Sequence, residues 1–501
     1  CRCRCLGIGR MGVPIRNARH PAVCERPGSG GWAAGSWGFR FLWALGVSFA
    51  LWLPLWSLGR CSGKSKDEGL PVDDTQKEFL PLEPPGALEA ITAEKLCPAL
   101  GAFTQWVLGN ALKEGVSRLY FLARDGWFPY GLARRLCASW GLPVECRYLF
   151  GSRYAWRLPL YHLDVPRAVN VLCGKSKVLS LETVLRQGGL TQQEREEVLG
   201  ELKLDGEAGS CLKERVWLEE QLLNCSSFCA CLEHRSRKAF SGLEGYLRQE
   251  GLLDGASWAL VDSGWMGSTQ ETLSAVLEQM DFQGIVRGYY AGLYRQPRQG
   301  IWDCFFFRPG RDLAFQAGME PSFFECVFSA PHGMTVGYRQ VAGRFLPVFG
   351  KPPAHEETRG KMAGVFRDYG ACLAKRALPG DLCSQAGAER FPAWEKLCQV
   401  MTRPTWEEAK LLGELTFSHR PLEGGEAPLA VRLSEEELRS NHISRRLLQG
   451  PPVRTSPWLP GSAALYGKCP QEHFQAFQRV RWARAAVHAI KSGARKIYGE
   501  E

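Results

Sequence analysis

The chain is organised by an alternation of two hydrophobic periods. From about residue 95 to 340, short continuous apolar runs take turns with segments whose apolar residues recur every three or four positions. Leu100 to Glu114 has helical spacing, and Gly115 stops it. Arg118-Leu-Tyr-Phe-Leu-Ala123 is a short run of strand character that leads into Arg124-Asp125-Gly126. Pro129 to Trp140 is a second amphipathic helix with Arg134 and Arg135 on its outer side, and Cys146-Arg-Tyr-Leu-Phe150 is a second strand ending in Gly151-Ser152-Arg153. Residues 155–250 are rich in Leu, Glu, Gln and Arg at helical spacing, most clearly over Glu182–Leu204 and Glu214–Gln249. A third strand, Trp258-Ala-Leu-Val261, runs into Asp262-Ser263-Gly264-Trp265. Helix Ser268–Met280 follows with Thr269 and Gln270 in its first turn, and Ile285 to Tyr294 alternates as a fourth strand. This order predicts an α/β fold: a doubly wound, Rossmann-like parallel sheet carrying a helical cap insertion at about 155–250. The α/β domain spans 96–338. A mainly helical, separate C-terminal region covers 339–501, set off by the break at Gly350–Pro353.

The last helix is expected from His473 to Ile497. Its apolar stripe is Ala476, Val480, Ala483, Val487, Ile490, Ala494 and Ile497, with Arg481, Arg484, His488, Lys491 and Arg495 off the stripe. The plain expectation is that the stripe docks on the core and the basic face is solvated. The sharper one is contact with anionic lipid or an anionic polymer. At the other end, Phe41 to Gly59 carries no charge over 19 residues, a length that can span a bilayer, within an N-terminal extension of unassigned character over 1–60. Residues 61–95 are polar, acidic and then proline-rich, and read as a linker.

Composition adds two constraints. The net charge is +10, but residues 1–66 hold ten Lys/Arg against one acid, so the rest of the chain nets only +1. That excludes a whole-surface nucleic-acid binder. Nineteen cysteines occur with no CxxC pair, which reads as buried thiols in a reducing compartment. The location expected is cytoplasmic, with membrane association as the variant that 41–59 suggests. Gly7, Gly9 and Gly12 form a literal GxGxxG, but CRCRC precedes it and Pro14 follows it, so it lacks the strand and helix that a dinucleotide site needs.

In an open parallel sheet, ligands bind at the carboxyl ends of the strands. Three such ends carry useful chemistry: Asp125, then Ser152 with Arg153, then Asp262. A lone aspartate there is commonly a helix cap; two acids and a hydroxyl on one edge say more. Asp125 and Asp262 would hold Mg²⁺ through oxygen. One carboxylate would attack phosphorus, Ser152 would hydrogen-bond a phosphoryl oxygen, and Arg153 would neutralise its charge. His332, in Ser329-Ala-Pro-His-Gly333, is a candidate base or phosphate contact, with Glu325 placed to orient it. Gly126, Trp127, Gly264, Trp265, Ser268 and Thr269 flank these residues as candidate substrate contacts.

At these positions the chain resembles the haloacid dehalogenase-like superfamily. More closely, it is similar to a bacterial group of predicted hydrolases often linked to cell-surface polysaccharide synthesis. The stretches that carry the resemblance are LYFLARDGWFPYGLARRL (119–136), CRYLFGSRYAWRLP (146–159), ALVDSGWMGSTQETL (259–273), VRGYYAGLY (286–294) and FSAPHGMTVGY (328–338). The resemblance implies a Mg²⁺-dependent phosphohydrolase acting on a small phosphorylated metabolite, with a sugar phosphate as substrate class. It implies a nucleophilic aspartate and, two residues on, an acid/base aspartate; this sequence has Asp125 alone. In one register Ala123 stands at the nucleophile position, and in the other Trp127 stands at the acid/base position. Ser152 matches the family's second-strand hydroxyl and Asp262 its late metal-binding acid. Arg153, Arg237 and Lys238 are candidates for its basic residue. Two alternatives remain open: a catalytically degenerate module that binds a sugar phosphate or nucleotide sugar, and a phosphoribosyltransferase-like enzyme using Asp262–Thr269 as a phosphate loop.

Overall fold

The structure is a computed structural model. It describes residues 86–174, 180–203, 212–417, 427–442, 444–445, 452 and 454–498. The N-terminal extension, its apolar run 41–59 and most of the expected linker lie outside the described residues.

Helix α1 (Ala87–Ile91) runs through a π turn into α2 (Cys97–Lys113), so regular structure starts inside the span expected to be linker. Then come β1 (Arg118–Leu122), α3 (Trp127–Trp140) and β2 (Glu145–Leu149). The insertion follows: α4 (Arg153–Arg157), α5 (Val165–Leu172), α6 (Leu181–Gln187), α7 (Gln192–Leu202), α8 (Leu212–Asn224) and α9 (Ser226–Gln249). Next are β3 (Trp258–Trp265), α10 (Ser268–Glu278), β4 (Arg287–Leu293), β5 (Ile301–Phe307), α11 (Leu313–Gly318) and α12 (Pro321–Val327). A hairpin of β6 (Thr335–Val341) and β7 (Arg344–Phe349) precedes α13 (Glu356–Ala374), α14 (Leu382–Thr402) and α15 (Trp406–Gly413). After a two-residue strand pair come α16 (Glu435–Ser440), α17 (Leu459–Tyr466) and α18 (Pro470–Tyr498).

Strands β1 to β5 form one parallel sheet in the order β2-β1-β3-β4-β5. The four expected strands are neighbours in it, and β5 extends it at the edge. Side chains alternate across a strand, and β1 shows the result: Leu119 and Phe121 enter one core, Tyr120 and Leu122 the other. The first core is built with α2, α3 and α12–α14, the second with α4, α9 and α10. Helices therefore cover both faces, compatible with a Rossmann-like fold. The insertion buries its own small core, centred on Val169, Leu185, Leu222, Phe228 and Leu232.

Two expectations are corrected here. The region after 339 is not a separate helical body. Met362, Phe366, Leu397 and Met401 share the main core with the sheet, and α14 lies along α2. Gly109 makes that approach close, since a Cβ there would sit 2.7 Å from Cys383 Sγ. A β-hairpin straddles the expected boundary and seals the other face: Tyr338 stacks on Tyr246 with ring centroids 4.5 Å apart, and its hydroxyl donates to the Phe150 carbonyl at 2.7 Å.

Helix α18 docks by a different face than expected. Phe474, Phe477, Arg481 and Ala485 are buried, and Arg481 takes a core position because its Nη1 donates to Glu320 at 2.8 Å. Among the described residues no helix is long and apolar enough to cross a membrane.

The close β3–β4 pairing makes a prediction. Gly264 has φ +103°, and a Cβ there would stand 2.6 Å from the Gly292 carbonyl oxygen. Gly264→Ala is expected to destabilise the protein by about 2 kcal/mol or more, measured by urea unfolding.

Candidate functional site

The site forms where the sheet changes direction. The chain leaves β1 toward β2 on one side, and from β2 it crosses back past β1 to β3 on the other, so a crevice opens at the carboxyl ends of β1 and β3. Register sets the height of its walls. Phe121 pairs with Val261, β1 ends one residue later, and β3 continues to Trp265 against β4. The turn Ala123–Gly126 therefore lies beside Asp262 and Ser263. Gly126 closes this turn through its N–H to the Leu122 carbonyl at 2.9 Å. A Cβ there would approach the same oxygen to 2.5 Å, which explains the glycine.

Asp125 does not cap α3. The cap position is Gly126, with no side-chain cap bond. Instead the Asp125 carboxylate accepts the Ser263 hydroxyl at 2.5 Å. Asp125, Gly126, Asp262 and Ser263 line one side of a pocket whose other wall is apolar: Leu100 and Phe103 of α2, Pro129, and Phe324 and Phe328 at α12. The lining includes no residue of the insertion, so the expected cap does not wall this pocket.

A third carboxylate belongs to the cluster, and sequence reasoning gave it another task. Glu325 on α12 accepts the Trp265 indole N–H at 2.8 Å. Burial pushes its carboxyl up to about 8, and the charge of Asp125 adds to the shift. Burial raises Asp262 to about 7, again with Asp125 adding. Burial also raises Asp125, against the pull of the Ser263 hydroxyl and of Arg124 and Arg153. Three carboxylates thus share one field in a poorly solvated crevice, which disfavours full ionisation. Arg153 is exposed at the start of α4 and lowers all three values. Arg237, offered as an alternative basic residue, is exposed on α9 against Glu233, and Lys238 is exposed beside it.

Several expected site residues have structural duties. Ser152 caps α4, accepting the Ala155 N–H at 3.0 Å, and its proton goes to the Thr335 carbonyl at 2.7 Å. No donor is left for a phosphoryl oxygen. His332 has both nitrogens engaged. Nδ1 lies 2.8 Å from the Gly333 carbonyl, which can only accept, so that nitrogen carries the proton and Nε2 accepts from Tyr148 Oη at 2.8 Å. Burial lowers its pKa. It is a neutral pin between β2 and the hairpin, and Glu325 bonds Trp265 rather than orienting it. Trp127 packs edge-on to Tyr148 with centroids 5.0 Å apart. Trp265 is buried in the main core. Gly264 and Trp265 lie in a paired strand, so the first half of the phosphate loop expected over Asp262–Thr269 is strand. Ser268 and Thr269 begin α10 and are not among the pocket's lining residues.

A hard divalent cation fits the donor set. All candidate ligands are oxygens, and their mutual repulsion is what a cation relieves. Among the described residues no three His, Cys, Asp or Glu side chains converge as ligands. Mg²⁺ asks for less, since it keeps several waters and uses one or two carboxylates plus substrate phosphates.

Two variants check these assignments. A carboxyl raised from 3.8 to about 7 on folding contributes stability below its unfolded value and loses it as pH rises through about 7. Asp262→Asn is therefore expected to raise Tm by a few degrees at pH 8, and by less at pH 5. Ser152→Ala should lose the cap and the Thr335 bond, costing about 1–2 kcal/mol in urea unfolding. Set beside known proteins, the chain matches no family model and no curated relative.

Proposed function

We propose that the chain is a metal-dependent phosphohydrolase that acts on a small phosphorylated metabolite, with a sugar phosphate as the substrate class the sequence resemblance implies. One observation carries the reading: Asp125 turns away from its helix, accepts the Ser263 hydroxyl, shares a pocket at the switch point of the sheet with Asp262, and acts by its charge on the Glu325 carboxyl.

Asp125 is the nucleophile. Its carboxylate attacks phosphorus and forms an acyl phosphate as the bond to the leaving oxygen breaks. The Ser263 hydroxyl holds one carboxylate oxygen, leaving the other to attack. Arg124 and Arg153 keep Asp125 toward its ionised form and offset the charge of the phosphoryl group. Asp125 and Asp262 would hold Mg²⁺, which supplies charge neutralisation at the phosphoryl oxygens.

In this register Trp127 stands where the family pattern has its acid/base aspartate, and Glu325 takes that duty. With its carboxyl raised to about 8, it is mostly protonated at pH 7. It gives its proton to the leaving oxygen, and as a carboxylate it then takes one from the water that hydrolyses the acyl phosphate. The apolar wall of Leu100, Phe103, Phe324 and Phe328 limits other water.

The test is a panel of sugar phosphates with and without Mg²⁺. Wild type is expected to release phosphate only with the metal, and Asp125→Asn to abolish release and weaken Mg²⁺ binding in calorimetry. Identical titrations for the two proteins would remove Asp125 from the site. Glu325→Gln should lower kcat by roughly 10²–10⁴-fold. Because the acid must be protonated, wild-type kcat should fall as pH rises through about 8. That basic limb should vanish in Glu325→Gln.

A further inference from the structure

Helix α18 leaves its apolar row on the wrong side for a core. Phe474, Phe477, Arg481 and Ala485 form the docked face, fixed by the Arg481–Glu320 ion pair and by His488 against the Tyr294 ring at 5.5 Å. On a helix of 3.6 residues per turn, Ala476, Val480, Ala483, Val487 and Ile490 lie roughly 140° round from that face. Ile490 is 63% exposed. The other four are half-buried, and none reaches the burial of the docked face.

The charge around this row has one sign. From His473 to Tyr498 the sequence has six Lys/Arg and no acid. Arg481 is used in docking, whereas Arg479 and Arg484 are exposed beside the row, as is Lys491. Trp482 is half-buried on the same helix. A solvated surface helix would alternate signs and place polar residues outward. An apolar row with basic flanks is the pattern of a helix that lies in the plane of a membrane interface. Lipid headgroups of negative charge complement the arginines, and the acyl boundary takes the row.

We infer that the outer face of α18 is a docking surface for an anionic lipid membrane, with the row from Ala476 to Ile490 at the acyl boundary and Arg479 and Arg484 among the headgroups. The contact is peripheral: the helix keeps its docked face on the protein and offers only the other. The inference is independent of the proposed hydrolase activity, because no residue of α18 lines the pocket.

The test is flotation of the full chain with vesicles of phosphatidylcholine, alone or with phosphatidylserine. Wild type is expected to float with the mixed vesicles, to stay in solution with phosphatidylcholine alone, and to be released by salt. Val487→Glu/Ile490→Glu and, separately, Arg479→Glu/Arg484→Glu should each weaken partitioning by about tenfold or more. Circular dichroism and the unfolding midpoint of the Val487→Glu/Ile490→Glu variant should stay at wild-type values, since both side chains lie off the docked face. Binding that ignores phosphatidylserine, or that survives in both variants, overturns the inference and assigns any membrane contact to another part of the chain. A wild-type dimer that the Val487→Glu/Ile490→Glu variant converts to monomer, with vesicle binding unchanged, overturns it too and gives the row to a second copy.

Discussion

Three half-buried carboxylates that feel one another's charge resist full ionisation, and much of the local architecture answers that constraint. The crevice exists because β1 lies between strands reached by oppositely directed connections, so no connecting helix crosses its end. Each carboxylate then has its own accommodation. Asp125 has the Ser263 proton and the fields of Arg124 and Arg153. Glu325 has the Trp265 indole. Asp262 has backbone N–H donors from Ser263 and Gly264. Different environments for similar groups are what separate a nucleophile from an acid. The cost is carried by the fold as a whole, since charges that repel in the native state are free to part in the unfolded one.

Strand length is the device that brings these groups together. β3 outruns β1 by three residues in register, and the excess carries Ser263 and Trp265. Ser263 reaches back over the end of β1, and Trp265 reaches outward to α12. Gly264 between them has no side chain, so β4 can stay paired where a Cβ would strike the Gly292 carbonyl. A single strand therefore orients two acids that lie 200 residues apart in the chain.

Much of the sheet was legible because β–α alternation leaves a period that changes from two to 3.6. That Asp125 and Asp262 meet at one end of the sheet was legible because both stand where adjacent parallel strands end. Ser152 was misread because a hydroxyl that caps a helix and one that holds a phosphate have the same neighbours in sequence, and His332 because its Tyr148 partner lies on a distant strand. Only the Thr335 carbonyl and Tyr148, from distant segments, settle which duty applies. Glu325 was noticed but given the wrong partner, because Phe-Phe-Glu-Cys-Val does not show that Trp265 waits across the crevice. The hairpin escaped since its turn, Ala342-Gly343, puts an alanine at φ +47° where asparagine would have signalled it. The docked face of α18 escaped because burial of Arg481 depends on Glu320, which no helical periodicity reveals.

The support behind α2 has a consequence for how the protein is born. This helix supplies part of the pocket wall, yet its outer side rests on α14, whose residues come almost 300 positions later. A growing chain that has emitted all five strands still lacks the surface that covers Gln105 and Gly109. Contacts of such long sequence separation close late and slowly. The nascent α/β half must therefore wait, partly open, until the C-terminal helices leave the ribosome. During that interval its apolar faces are exposed, and a chaperone that binds exposed apolar segments would have its substrate there.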